Sequence, residues 1–233
     1  MRGVVSRRAR VAMEGALQHP AVPRPVPSAA LLACLRHHLL GGETHYPERP
    51  GMAELRRRVG GALRGRGYPE RGPDGVLITA GEGESLFVTL LGLDTPREIC
   101  LSGTGARRHG NLLQWMGVRA VEPVSRDGDS ATGPVIHLIG DRLFRAAGAR
   151  EDAGGRAQPD DAGTSMPDAR AGLPASIVIG SLDGVADMRP FRLGFVAAPP
   201  DVLAGITKWK QASSICSPAP SQRAALWGLG VRP

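Results

Sequence analysis

Short apolar segments that alternate with amphipathic ones place the strongest constraint on how this 233-residue chain can fold. The segments VLITA, EICLS, AVEPV, VIHLIG, SIVIGS and FRLGFVAA have the length and apolar content of buried strands. Between the first three, ESLFVTLLGL and NLLQWMG have helical periodicity. Strands separated by helices predict an α/β fold with three layers, in which a mostly parallel sheet is covered by helices on both faces.

The chain divides into an arm and one domain. Residues 1–27 are basic and Pro-rich, which is typical of an N-terminal arm, and residues 28–233 carry the α/β pattern. Within the domain, residues 28–40 predict a helix with Ser28 as its N-cap. Residues 145–172 are rich in Gly, Ala and Asp and poor in apolar side chains, which predicts a flexible loop.

Composition argues against several classes of function. The formal charge is +7, but the basic residues are scattered and all except Lys208 and Lys210 are Arg. Aromatic residues make up 4%, which leaves little for stacking on bases, so a nucleic-acid partner is not favoured. No apolar run reaches the roughly 18 residues of a spanning helix. The six His and three Cys show no metal-ligand spacing, and an odd number of separated Cys predicts reduced thiols in a cytoplasmic protein without a metal.

One glycine-containing turn is a candidate ligand site. In ITAGEGESL, a strand runs through Gly81 and Gly83 into a helix. The free amides at such a helix start form a ready anion site, although a tight turn without any ligand explains the pattern equally well. The spacing matches neither a dinucleotide fingerprint nor a Walker loop.

Four segments in order resemble the class I/II aminotransferases of PLP fold type I. They are HYPERPGMAELRRRV, VLITAGEGESL, GSLDGVADMRPFRLGFVAAP and KQASSICSPAPSQRAAL, and the resemblance spans about residues 28–230. It implies the large-domain fold of that family. It also implies that part of the cofactor site is kept, formed by Gly81, Glu82, Gly83, Asp141, Ser181, Arg192 and Tyr46.

In the resemblance, each of these positions has a role. The amides around Gly81 and the side chains of Ser181 and Arg192 match the phosphate contacts, and Arg suits phosphate because its planar fork binds bidentately. Asp141 matches the carboxylate that pairs with the pyridine nitrogen. Tyr46 matches a tyrosine that reaches the phosphate from a neighbouring subunit.

The residues that carry the family's chemistry are replaced. Gly184 stands where the Schiff-base lysine belongs, and Phe144 where a Tyr bonds the cofactor hydroxyl. The ring-stacking aromatic falls at Ala106 or a neighbour. The Asn-Pro segment is gone, since the only Asn is Asn111 in a predicted helix. The deletion predicts the loss of a central strand, after which the sheet re-pairs or opens a gap. Asp141 and Phe144 favour the alignment in which VIHLIG leads into Asp141 and the strand before it is missing; in the alternative alignment VIHLIG is that strand and the next one is missing.

These replacements argue against independent transaminase activity, because transamination needs a lysine amine. Lys208 and Lys210 are interpreted as solvated helix charges, Asp183 and Asp187 as loop carboxylates, and Cys216 as a packed thiol. The resemblance also predicts that the family's small C-terminal domain is absent. PLP is then bound weakly and non-covalently, or not at all.

Four interpretations remain open at this point. The chain is an aminotransferase-like pseudoenzyme that forms a homodimer, or a non-catalytic partner that pairs with an active paralogue. Alternatively it is a binding module, for another phosphate-bearing ligand or for nucleic acid through the Arg-rich arm, or it is a decayed fragment.

Overall fold

The computed structural model describes residues 26–102, 108–121, 135–144, 176–185 and 188–231. Several features predicted from the sequence lie outside these ranges. They are the loop at 145–172, Ala106, Asp187 and all of the arm except residues 26 and 27. Helices in the described ranges are α1 (Ala29–Leu40), α2 (Ala53–Gly65), α3 (Glu82–Gly92), α4 (Gly110–Met116), α5 (Pro200–Ser214) and α6 (Ala219–Gly228). Strands are β1 (Val76–Thr79), β2 (Glu98–Ser102), β3 (Arg119–Val121), β4 (Val135–Gly140), β5 (Ile177–Ser181) and β6 (Gly194–Ala197).

The strands form one mixed sheet in the order β1-β6-β5-β4-β2-β3. β6 runs antiparallel to both β1 and β5, and the other pairings are parallel. β4 pairs with β2 through Cys100 and Val135 and with β5 through Ile136 and Ile177. The sequence analysis expected the sheet either to re-pair or to open a gap. The structure shows that it re-pairs, with β4 between β2 and β5.

Alternating strand residues divide the core into two halves. Val76 and Ile78 pack on one face of the sheet beneath α1, α2 and α6, whereas Leu77 packs on the other face beneath α3, α4 and α5. β6 shows the same alternation, with Phe195 on the first face and Val196 on the second. The three-layer α-β-α prediction is confirmed, and the carboxyl ends of the parallel strands share one edge of the sheet.

One local prediction on this scaffold is borne out by the geometry, and a second local contact was not anticipated. Ser28 caps α1, since its Oγ accepts a hydrogen bond from Leu31 N at 3.3 Å. In the segment HYPERPGMAELRRRV, the buried Arg56 donates to the carbonyl oxygens of Gly51 at 2.9 Å and Pro73 at 2.6 Å. Arg56 thereby anchors the loop before α2 against β1.

A second long-range tie involves Gln222, which is fully buried on α6. Its Oε1 accepts from Met52 N at 2.7 Å, and its Nε2 donates to Ser217 O at 2.8 Å. The side chain therefore joins the start of α2 to the segment before α6. No helix in the described part of the chain is long and apolar enough to cross a membrane.

Candidate functional site

The turn between β1 and α3 is held in one conformation by hydroxyl groups. Gly81 precedes the helix with a φ of 92°, a region that favours glycine. The buried hydroxyls of Thr79 and Ser85 lie 2.6 Å apart, and they are 3.3 and 3.2 Å from the Gly81 carbonyl oxygen. Because the C=O and N–H of a trans peptide point in opposite directions, fixing this carbonyl also fixes the direction of the Glu82 amide.

The start of β6 lies directly against this turn. A Cβ on Gly194 would be 2.5 Å from Gly81 C and 2.9 Å from Glu82 N, so only glycine allows the approach. Gly194 is the register partner of Ser181 at the end of β5. The turn, the start of β6 and the end of β5 thus meet at one point of the sheet edge.

Arg192 reaches the same point from the segment before β6. It has a left-handed backbone conformation, with φ 49° and ψ 56°, which is uncommon for a residue other than glycine. Its Nη2 lies 4.0 Å from the position that a Cβ on Gly81 would take. The guanidinium is exposed and therefore accessible to a ligand at the start of α3.

The carboxylates of Asp183 and Asp141 lie beside this cation. Burial raises the pKa of Asp183; the charge of Arg192 opposes that rise, and the negative charge of Asp141 adds to it. Asp183 N also donates to Ser181 Oγ at 3.2 Å. The structure therefore brings Asp141, Ser181 and Arg192 into one neighbourhood, with Asp183 between them.

Glu82, at the first position of α3, directs its carboxylate to the start of α4. It is 8% exposed, and its Oε1 lies 2.9 Å from His109 Nε2 and 3.3 Å from Arg108 Nη1. Gly140, at the end of β4, has a φ of 57°, and a Cβ there would lie 3.3 Å from Arg108 Nη1. What remains of Glu82 for a ligand at the turn is its backbone amide, which is the contact that the resemblance implies.

Lys210 corrects a sequence-based interpretation. It was expected to be a solvated helix charge, but it is fully buried, and its Nζ lies 3.2 Å from Glu84 Oε2 and 2.6 Å from Ser214 Oγ. A signal for this was present, because Lys210 follows Leu203 and Ile206 at helical spacing on the face of α5 that enters the core. Lys208, by contrast, is exposed as predicted.

The other residues singled out in the sequence lie as follows. Gly184 is in the turn after β5 and is partly buried, and Phe144 packs against the first half of the core. Tyr46 is 78% exposed and stands in the loop after α1. Asn111 is on α4, and Cys216 is a partly buried free thiol.

At this edge the described residues place the Arg192 side chain near the helix amides of α3 that no capping side chain occupies. The α3 N-cap makes no side-chain hydrogen bond to the helix, so its first amides keep their donors for a ligand. No group of three or more His, Cys, Asp or Glu suited to a metal ion occurs among the described residues. The carboxyl ends of parallel strands are the usual position of ligands in α/β folds.

Comparison with solved structures shows what the fold resembles. N-succinyldiaminopimelate aminotransferase from Mycobacterium tuberculosis superposes with a TM-score of 0.67 at 21% identity, over 98% of this chain and 73% of its own. A Thermus thermophilus aspartate aminotransferase mutant in complex with tryptophan gives 0.69 at 15% identity, over 100% and 74%.

A Methanococcus jannaschii protein, described as similar in its active site to kynurenine aminotransferases, gives a TM-score of 0.61 at 17% identity, over 94% of this chain and 68% of its own. No family model matches the sequence, and no curated protein does. At these identities the likeness is one of fold. The chain has the α/β fold of the class I/II aminotransferase large domain.

Proposed function

We propose that this chain is an aminotransferase-like protein that binds a phosphate-bearing ligand, with pyridoxal phosphate as the first candidate, and that it does not carry out transamination by itself. The observation that carries the proposal is a single sheet edge where Gly81, Ser181 and Arg192 meet while Gly184 supplies no amine.

The residues suited to the phosphate are those of the turn and of β5 and β6. The amides that begin α3 and the Arg192 guanidinium supply donors and positive charge. Ser181 Oγ accepts from Asp183 N, and its hydroxyl also hydrogen-bonds the Asp183 carboxylate. A phosphate that takes this hydroxyl as a donor must therefore displace that carboxylate. Asp141 is the carboxylate for the pyridine nitrogen, and Tyr46 is a contact to a neighbouring subunit; both roles come from the resemblance.

The residues around the proposed site supply no amine for transamination. Pyridoxal phosphate supplies an electron sink when bound, but the protein must add an amine that holds the cofactor and moves the substrate's α-proton. Gly184 has no side chain for either task. Lys208 is exposed on α5, and Lys210 is buried in an ion pair with Glu84.

Equilibrium titration with pyridoxal phosphate, competed by inorganic phosphate, tests the proposal. Arg192→Met should weaken binding roughly 10- to 100-fold, because a charge-assisted hydrogen bond contributes about 1.5–3 kcal/mol. Arg64→Met is the matched control, because it removes the same charge from an exposed position. Arg64 lies near the end of α2 and pairs with Glu70. Wild-type protein that shows no saturable binding, or equal effects of the two variants, would contradict the proposal.

A second candidate function is that of a non-catalytic partner, either in a homodimer or beside an active paralogue. Leu40 and Tyr46 are 77% and 78% exposed, and Leu32 on α1 is 47% exposed. Leu32 and Leu40 line one groove along α1, and exposed apolar side chains that lie together are typical of interaction surfaces. Light scattering of the purified chain with and without Leu32→Glu/Leu40→Glu checks this: a dimer that the double variant dissociates supports it, and a monomer in both cases argues against self-association.

A further inference from the structure

The buried Lys210 forms an ion pair with the partly exposed Glu84 beside the candidate anion site. Lys210 has no exposed surface, and its Nζ lies 3.2 Å from Glu84 Oε2. The remaining Glu84 oxygen, Oε1, accepts from Ser214 Oγ at 2.7 Å. Two side chains from the end of α5 thus hold one carboxylate from the first turn of α3.

The Glu84 carboxylate also accepts a hydrogen bond from the backbone just before α3. Glu84 is the third residue of α3, and its Oε2 accepts from Ala80 N at 2.6 Å. The contact is similar to the reciprocal half of a capping box, but the amide belongs to Ala80, the residue before the cap, and not to the cap itself. The other half is missing because the cap, Gly81, has no side chain, so no capping side chain occupies the first amides of α3.

α3 and α5 also approach each other closely near Gly92, away from the Lys210–Glu84 pair. A Cβ on Gly92 would lie 2.7 Å from Ile206 Cα, and one on Gly205 would lie 3.4 Å from Gly92 O. α3 and α5 are therefore in backbone contact at one end and joined by the Lys210–Glu84 pair at the other.

We infer that Lys210 is a positioning residue that keeps the anion site open, because it neutralises the Glu84 carboxylate and holds it away from the free amides of α3. This inference rests on the proposed binding of a phosphate group at that turn. Without the lysine, a negative charge next to the start of α3 repels an incoming phosphate and competes for the same amides.

Titration with pyridoxal phosphate, competed by inorganic phosphate, tests the inference in the full-length chain. Lys210→Met should weaken binding about tenfold or more at low salt, as expected for an uncompensated negative charge in the first turn of the helix whose amides hold the ligand. The loss should shrink as salt is added, since salt screens the repulsion between charges in partly solvated sites. Lys208→Met is the matched control, because it removes an exposed lysine from the same helix and should leave binding unchanged.

Rescue separates a charge effect from damaged packing. Lys210→Met/Glu84→Gln removes both charges and should restore binding to within about threefold of wild type, since a neutral amide does not repel the ligand. A Lys210→Met variant that binds like wild type, or a loss that neither salt nor the second substitution reverses, overturns the inference and leaves the proposed function intact. Wild-type protein that does not bind refutes both.

Discussion

Gly194→Ala is the substitution for which the geometry of the turn makes the most direct prediction. The added Cβ would lie 2.5, 2.7 and 2.9 Å from Gly81 C, Gly81 O and Glu82 N, whereas optimal contacts between carbon atoms are about 3.5–4.0 Å. All three neighbours are backbone atoms, and the Thr79 and Ser85 hydroxyls hold the Gly81 carbonyl in place. The overlap can be relieved only by moving β6 and the Gly81–Glu82 peptide apart.

Overpacking of this kind typically destabilises a protein by about 1–3 kcal/mol. For a chain of this length that corresponds to a fall in Tm of roughly 2–12 °C, because 1 kcal/mol shifts Tm by about 2–4 °C. Calorimetry measures the shift. Since the displaced peptide carries the Glu82 amide, Gly194→Ala should also lose binding of pyridoxal phosphate.

Gly61→Ala is the matched control for this measurement. Gly61 is exposed on α2 and has no atom within 4 Å of an added Cβ, so the same chemical change should stabilise the helix by up to about 1 kcal/mol. Opposite signs for the two variants are expected. A Gly194→Ala protein with the Tm and ligand affinity of wild type would refute the account of the turn.

Two further substitutions test the scaffold and its charges. Gln222→Leu leaves Met52 N–H and Ser217 C=O without their partner and should lower the free energy of unfolding by roughly 1–3 kcal/mol; an unchanged urea midpoint would argue against this tie. Burial raises the pKa of Asp183 above 3.8, so its contribution to stability is complete below 3.8 and is lost as the pH rises through the higher folded-state value. Asp183→Asn should therefore gain stability relative to wild type as the pH rises through that range, and a Tm difference that is independent of pH would contradict the assignment.

The fold was predictable because the sheet is buried on both faces. Short apolar segments such as VLITA and VIHLIG are typical of buried strands in a sheet that helices cover. β2 and β4 were predicted with their observed bounds. The order of the strands and the re-pairing of β4 with β2 could not be predicted, since pairing depends on contacts between residues far apart in sequence. The start of β6 was placed too early, because Arg189–Phe191 forms a 3-10 turn before it.

The site was only partly predictable. Ser181 and Arg192 were identified because their spacing resembles a known segment, and the structure places them at one edge with Gly81. The pairing of Glu82 with His109 left no signal in the sequence, since the two residues lie far apart in sequence, at the start of α3 and just before α4. Lys210 was misjudged because charged side chains are usually solvated, and its helical register with Ile206 is weaker evidence than residue type.

Borohydride reduction of the protein in the presence of pyridoxal phosphate, followed by mass spectrometry of the peptides, tests the central claim most directly. The Gly184→Lys variant serves as the positive control, because it restores an amine to the turn after β5. The account predicts saturable binding to wild-type protein with no adduct on Lys208 or Lys210, and an adduct on residue 184 of the variant. A stoichiometric adduct on either natural lysine of wild-type protein would contradict the claim that the phosphate half of the site persists without the amine half.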